Sequence, residues 1–553
     1  MPTRAGIDSG DISWRARSRK LLALVGDQDV MERQLLRRLD YLAEVLKGQV
    51  EQRKGWVLWG LSVLYLGITC WLASRKLMWN DELFTFYIAR LPSLADIWSA
   101  LSTGADQIPP FFHILTRTSW PLLGVNHVSV RWPGILGFWV MSLCLFRFVS
   151  KRSSALYGFM AMLFPLLTTA YDYAYEARPY GAVLGFSALA LLCWQSVADG
   201  YRRKLWLTGL SVSVAAAISS HYYAVLVLFP LAVGEMVRSF SRHRPDLAVW
   251  GAFVIGMTPV LLFLPLIEAA RAYSAHFWAQ PRWGSIAEFY YFLLIPAAFP
   301  LTVILLFAGV YRTSSPPRFN RADHPSRPTP PVHEIAAALG FVVMPAIAVI
   351  LAKLLTGGFT YRYALPSVIG VSVLLAFGAY RLFSTRGMLP VVLIIIFVAS
   401  FLMLQIRSLQ RIIAVSHELR SVYALIRSVP EPDLSIIPSD LHTFMILAHY
   451  APTDITSRLL YLANIDASLH YLGHTTVDRG ILDLRSWFKV RVEEYDSYIH
   501  NHSRFLVLAN DKHLNTRPGG LSWLLAELIS PERYIELRGQ HSGYLLFLVS
   551  PTE

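Results

Sequence analysis

The sequence predicts a polytopic, mainly α-helical membrane protein of about 11 transmembrane helices, followed by a soluble α/β region outside the membrane. Three observations predict it. The 553 residues are 54% hydrophobic and only 16% charged, with a mean hydropathy of +0.42. Uncharged apolar runs of bilayer length recur along the chain. After about Arg411 the pattern changes to short β-like segments alternating with helical ones.

Residues 1–54 precede the first apolar run. Within them "MERQLLRRLDYLAEVLKGQV" carries Leu35, Leu39, Leu42 and Leu46 at helical spacing with basic residues between, the pattern of a helix lying on the inner membrane surface. The first apolar run starts only at Gly55, after a charged segment, so a cleavable signal peptide is not expected and the first span acts as an anchor. Membrane helices need about 20 apolar residues. Runs at 55–74, 132–149, 153–171, 179–198, 247–267, 289–310, 335–352, 363–380 and 387–405 supply nine. Leu205–Gly234 is too long for one span, since a single helix of that length would extend about 45 Å against a bilayer core of about 30 Å. It reads as two short spans turning at "SSHYY".

A net charge of +13 would suit a nucleic-acid binder, but the basic residues are distributed as in a membrane protein. Eleven spans from a cytoplasmic N-terminus put the segments around Arg53, Lys151, Arg203, Arg242, Arg321 and Arg381 all inside. "WNDELF", "YEARPY", "SHYY", "RAYSAHFWAQPRW", "FTYRYALP" and the C-terminal region then fall outside. Cys70, Cys144 and Cys193 each sit in an apolar run and imply no disulfide framework.

The membrane region is expected over 55–410, with an external loop at 75–131, and the soluble α/β region over 411–553. "YRTSSPPRFNRADHPSRPTPPVHE", with six prolines, reads as a flexible inner connector. Beyond 411, "LSIIP", "RLLYLAN", "RFLVLAN", "RYIELRG" and "YLLFLVS" read as strands, "GGLSWLLAELIS" as a helix and "GQHSG" as a hairpin turn. No Gly-rich phosphate loop follows any of these strands.

Chemistry concentrates at the external segments. In "KLMWNDELFTFYIARL" two carboxylates, Asp81 and Glu82, follow the first span among aromatic residues, on a short helix starting at Asn80 or Asp81. One reading is a helix start with dipole-complementing acids. The other is a carboxylate that takes a proton from an incoming hydroxyl. Asp106, Gln107 and His113 lie in the same loop, where paired prolines stiffen the backbone.

The segments "WNDELFTFYIAR", "DQIPPFFHILTRTSWPLLGVNHVSVRWPGILGF", "YEARPYGAVLGF" and "SHYYAVLVLFPL", with "TYRYALP" later, resemble the membrane glycosyltransferases of the GT-C fold. The resemblance is to family 39, the dolichyl-phosphate-mannose protein mannosyltransferases and their bacterial relatives, including the aminoarabinose transferase of lipid A. It is strongest over Trp79–Leu231 and says little about residues beyond 411.

The resemblance implies that Asp81 is the catalytic carboxylate, with Glu82 in support, acting on a sugar carried by a polyprenyl phosphate. Where the family often has His before the loop prolines, this chain has Gln107, which weakens metal binding at that position. A divalent cation is left open, because acids and external His residues permit one but no local ligand pattern demands it.

Cleaving the bond from the anomeric carbon to the phosphate oxygen leaves an anionic lipid phosphate that needs cationic donors. Arg178, Arg362, His221 and Lys353 are on the correct side, and Arg suits bidentate phosphate contact. Snorkelling at helix ends is the competing role for the cations, above all Lys353, and capping of the turn for His221. Glu176, Tyr180, Tyr222, Tyr363, Asp106 and His113 are candidates to touch the sugar or order the site.

The expected protein is thus an inverting glycosyltransferase with partners among polyprenyl-phosphate sugars, membrane lipids and an acceptor protein, glycan or lipid, and with no nucleic acid. The expected location is a bacterial inner membrane with the site in the periplasm. A transporter or flippase of lipid-linked sugars is the main competitor; transporters gather polar groups near the midplane, whereas here they cluster at external loops. A membrane-anchored sensor or assembly protein is a third reading, in which the soluble region carries the function.

Overall fold

In the computed structural model of the chain, residues 44–314, 329–383, 388–511, 522–529 and 533–552 are described, with single residues 38, 41, 42 and 531. Most of the N-terminal amphipathic segment and of the proline-rich connector lies outside these.

Every apolar run expected to span is helical, but the count of eleven does not follow from helix length and apolarity. Among the described residues seven helices are long and apolar enough to cross a membrane: Lys54–Arg75, His127–Ser150, Tyr180–Asp199, Tyr222–Ser241, Ser285–Gly309, Val332–Thr356 and Met388–Arg427. The pair Leu247–Leu262 and Leu264–Arg271, bent by 59°, makes up to eight if it is one span. Ala155–Leu167 and Ser367–Phe383 are shorter, and Arg203–Ser220 opens on two basic residues. Length alone therefore understates or overstates the spans, and eleven rests on the charge parity of the loops.

The run 205–234 breaks where expected, at His221, whose backbone is extended. Its halves turn to different neighbours: Arg203–Ser220 packs on Tyr180–Asp199 and Leu247–Gly256, while Leu228–Ser241 packs on Val332–Leu351.

A backbone-to-backbone contact joins His127–Ser150 and Tyr180–Asp199. Gly181 and Gly185 form a small-residue pair four apart, facing Gly134 and Gly137. A Cβ on Gly137 would lie 2.3 Å from the carbonyl oxygen of Gly181, so the backbones touch and no larger residue fits. This contact brings Arg131, near the start of one helix, close to Ala177, just before the other, so that both meet Glu82.

The last apolar helix, Met388–Arg427, is 40 residues and about 60 Å long. That is about twice a bilayer core, so its C-terminal half stands clear and leads into the sheet region without a break at 411. There β1 (Ile436–Pro438), β4 (Phe505–Asn510), β6 (Tyr544–Pro551) and β5 (Arg533–His541) form one sheet in that order. β1 and β4 run parallel, and the other pairs are antiparallel. The β5–β6 hairpin turns at Ser542 and Gly543, both at positive φ, as a tight two-residue turn requires. A second, parallel pair joins β2 (Tyr461–Ala463) to β3 (Val492–Glu494). β3, three residues with two glutamates, was not expected, because so short a polar strand has no periodicity to read.

Candidate active site

A cavity of about 940 Å³ opens where the loops at one end of the membrane helices meet the sheet region. Asp81, Asp106, Glu176, Arg178, Tyr180, His221, Arg362 and Tyr363 all line it, although they come from four separate segments.

Asp81 and Glu82 open the helix Asn80–Ala89, where carboxylates complement the helix dipole. Their side chains part there. Asp81 faces the cavity and accepts from Arg362 Nη1 at 2.8 Å. The Arg362 guanidinium lies 5.5 Å from the ring of Trp79 and 5.7 Å from that of Tyr180, so aromatic faces orient it. Arg178 Nη1 donates to the Asp81 carbonyl and to Thr85 Oγ1, each at 3.2 Å, and reaches Asp106 Oδ1 at 3.5 Å. Burial pushes the Asp106 carboxyl up, but Arg178 and His113 more than offset this and hold it below the usual carboxylate range.

Glu82 does not reach the cavity. It is fully buried, bidentate to Arg131 at 2.7 and 2.9 Å, and accepts the Ala177 amide at 2.7 Å. Burial alone would raise its pKa; Arg131, Lys76 and the hydrogen bonds outweigh that and lower it. Its expected catalytic support is therefore corrected to a structural one, because every part of the carboxylate faces protein.

The other expected residues divide in the same way. His221 lines the cavity, but its Nδ1 accepts the Tyr223 amide at 3.1 Å, capping the following turn. Burial, then Arg178 and Arg362, lower its pKa to about 3. With Nδ1 accepting, the ring proton sits on Nε2, so His221 can offer the cavity a hydrogen-bond donor but no positive charge. Lys353 lies off the cavity with Nζ 5.3 Å above the Trp283 ring. Tyr222 packs toward Phe263, also off the lining. His113 is buried behind Asp106, with Nε2 3.4 Å from Oδ2 but not aligned for a hydrogen bond. Glu176 lines the cavity and pairs with Lys76 Nζ at 2.6 Å, not with Arg178. Burial raises its pKa and Lys76 offsets this only in part. Tyr363 stacks on Tyr223, with ring centroids 4.3 Å apart.

Sequence reading missed Lys76, Asp172 and Arg411, which also line the cavity, and Arg131. An Arg one residue ahead of the apolar run 132–149 was the available signal for Arg131. Arg411 had none, since it comes from a helix whose length past the membrane was not anticipated. Among the described residues no group of three or more His, Cys, Asp or Glu side chains is arranged to hold a metal ion.

Comparison with known proteins agrees with this architecture. The family described as dolichyl-phosphate-mannose-protein mannosyltransferase matches residues 107–267. Two crystal structures of ArnT from Cupriavidus metallidurans, one bound to undecaprenyl phosphate and one in the apo state, superpose along most of the chain. Their TM-scores are 0.52 and 0.53 at 13% and 12% identity, covering 90% of this chain and 98% of theirs. The fold is GT-C. The family it resembles is mannosyltransferase-like. A sequence comparison with curated proteins finds no match. The GT-C likeness spans the sheet region as well as the membrane helices, and the chain is a multi-pass membrane protein.

Proposed function

We propose that this chain is a membrane glycosyltransferase that moves a sugar from a polyprenyl-phosphate donor to an acceptor, with inversion at the anomeric carbon. The observation that carries it is the convergence of Asp81, Arg362 and Arg178, from three distant segments, on one cavity beside the external ends of the membrane helices. The family description over residues 107–267 and the undecaprenyl phosphate held by the ArnT of similar fold support a lipid-phosphate donor.

In this reading Asp81 accepts the proton of the acceptor hydroxyl as its oxygen attacks the anomeric carbon. The bond to the phosphate oxygen breaks, and its electron pair leaves on the lipid phosphate. Arg362 and Arg178 stabilise the charge that develops there. The proposed setting is a bacterial inner membrane, N-terminus inside and cavity in the periplasm. Assistance by a divalent cation belongs to the same test.

Purified full-length protein in detergent is given a panel of radiolabelled polyprenyl-phosphate sugars with and without a chelator, wild type beside Asp81→Asn, with donor binding scored in the same samples. Transfer by wild type and binding without transfer by Asp81→Asn is the expected result, and chelator sensitivity would add a metal. Wild-type turnover by Asp81→Asn would overturn the base assignment.

A further inference from the structure

The segment between the first membrane helix and the helix Asn80–Ala89 is short and non-helical, so its backbone groups must find partners outside regular structure. The carbonyls of Lys76 and Leu77 accept from Arg131 at 2.8 and 3.1 Å. The amide of Met78 donates to Tyr450 Oη at 2.8 Å. With that oxygen accepting, the phenol proton is available to His127 Nε2, 3.1 Å away, at the start of the helix that carries Arg131.

Tyr450 ends the helix Leu441–Tyr450 of the sheet region, 372 residues along the chain from Met78. The same helix makes a second link, His449 Nδ1 to Tyr87 Oη at 3.0 Å, and the His449 ring lies edge-on to Phe86. Phe488, also from the sheet region, packs against Phe84 and Tyr87. Thus the short helix bearing Asp81 is held from the membrane side by Arg131 and from the opposite side by the sheet region.

We propose that Tyr450 is a positioning residue for Asp81: through the Met78 amide and His127 it fixes the segment from which the Asp81 carboxylate projects. The sheet region is then part of the machinery of transfer, in addition to forming a wall of the cavity. This rests on the reading of Asp81 as base. A carboxylate displaced by an ångström loses much of its effect on the reacting proton while the lipid-phosphate contacts, made by other segments, persist.

The test is Tyr450→Phe in the full-length protein, which keeps the ring and removes only the hydroxyl. Two quantities are read: hydrogen–deuterium exchange of the peptide covering residues 77–83, and kcat and KM for the polyprenyl-phosphate sugar that wild type uses. The expected result is exchange at least about tenfold faster in that peptide alone, with kcat down about tenfold and KM within about twofold. Arg427→Ala, which breaks an exposed ion pair with Asp454 in the same region, is expected to move neither. Unchanged exchange would overturn the proposal, as would faster exchange with unchanged kcat, or an equal loss in Arg427→Ala. Should Tyr450→Phe not purify, His127→Phe, which removes the acceptor of the Tyr450 phenol proton, is read by the same criteria. If Asp81→Asn turns over like wild type, the base reading fails by itself, and the exchange measurement still decides whether Tyr450 holds the segment.

Discussion

Asp81 and Glu82 are adjacent, open the same helix and are each paired with an arginine, yet they differ in almost every physical respect. Glu82 is sealed between Arg131 and the Ala177 amide, with both oxygens taken. Asp81 is a quarter exposed, and its carboxylate is held by Arg362, which itself faces the cavity. The difference teaches that an acid–arginine pair is no sign of function by itself. What separates the two is spare hydrogen-bonding capacity directed at space large enough for a substrate. The opposite ends of the helices make the same point: Glu334 with Arg152, and Glu235 with Arg238, are close pairs whose carboxylates are buried against protein.

The largest expected effect is on the sealed pair. Glu82→Ala strands a buried guanidinium, which costs about 3–5 kcal/mol, and should abolish recovery of folded protein in detergent as judged by size-exclusion chromatography. Replacing both partners, Glu82→Leu with Arg131→Met, should recover part of the yield because no uncompensated charge remains. Equal yield of wild type and Glu82→Ala would erase the contrast.

Asp81→Asn comes next. Its side chain is partly solvated, so the melting temperature should stay within a few degrees, while transfer falls about 10²–10⁴-fold. Loss of both fold and turnover would make Asp81 a second Glu82.

A third carboxylate sharpens the comparison. Asp478 is buried like Glu82, but its hydrogen bonds come from neutral donors, among them the hydroxyls of Tyr461 at 2.6 Å and Ser468 at 2.8 Å. With no cation beside it, burial raises its pKa from 3.8 to about 6. The folded state therefore binds more protons than the unfolded one between those values, and the sheet region should lose up to about 3 kcal/mol as pH rises through that window. Glu82, whose pKa is lowered, works with the opposite sign: its contribution is present above the ordinary carboxylate range and is lost as pH falls through the lowered value. Exchange in the peptide 461–482, corrected for intrinsic rate, should slow from pH 7.5 to pH 5 in wild type and stay level in Asp478→Asn.

The sequence carried much of the fold and part of the site. Apolar runs reveal helices because burial or lipid contact demands them, and the turn at "GQHSG" is legible because tight hairpins need residues that tolerate positive φ. Asp81, Arg178 and Arg362 were legible as polar residues at helix ends that loop charge places on one side. The partition between Asp81 and Glu82 was not, because it depends on Arg131 arriving through a glycine-lined helix contact. Tyr450 and Arg411 were equally hidden: both lie beyond the last apolar run, and only the projecting helix Met388–Arg427 brings that part of the chain back over the cavity.

The smallest expected effects compare two cations that sequence alone treats as equivalent. Arg362 is held by Asp81 and two aromatic faces at the cavity, so Arg362→Lys keeps the charge but loses the planar fork that meets carboxylate and phosphate together. A loss of about tenfold in transfer is expected, the equivalent of about 1.4 kcal/mol. Lys353 sits over Trp283, outside the lining, so Lys353→Met should change transfer less than about twofold. Assayed side by side at saturating donor, a reversed order would mean that the lipid phosphate lies nearer Lys353 than Arg362, and the cavity around Asp81 would then hold the acceptor instead of the bond that breaks.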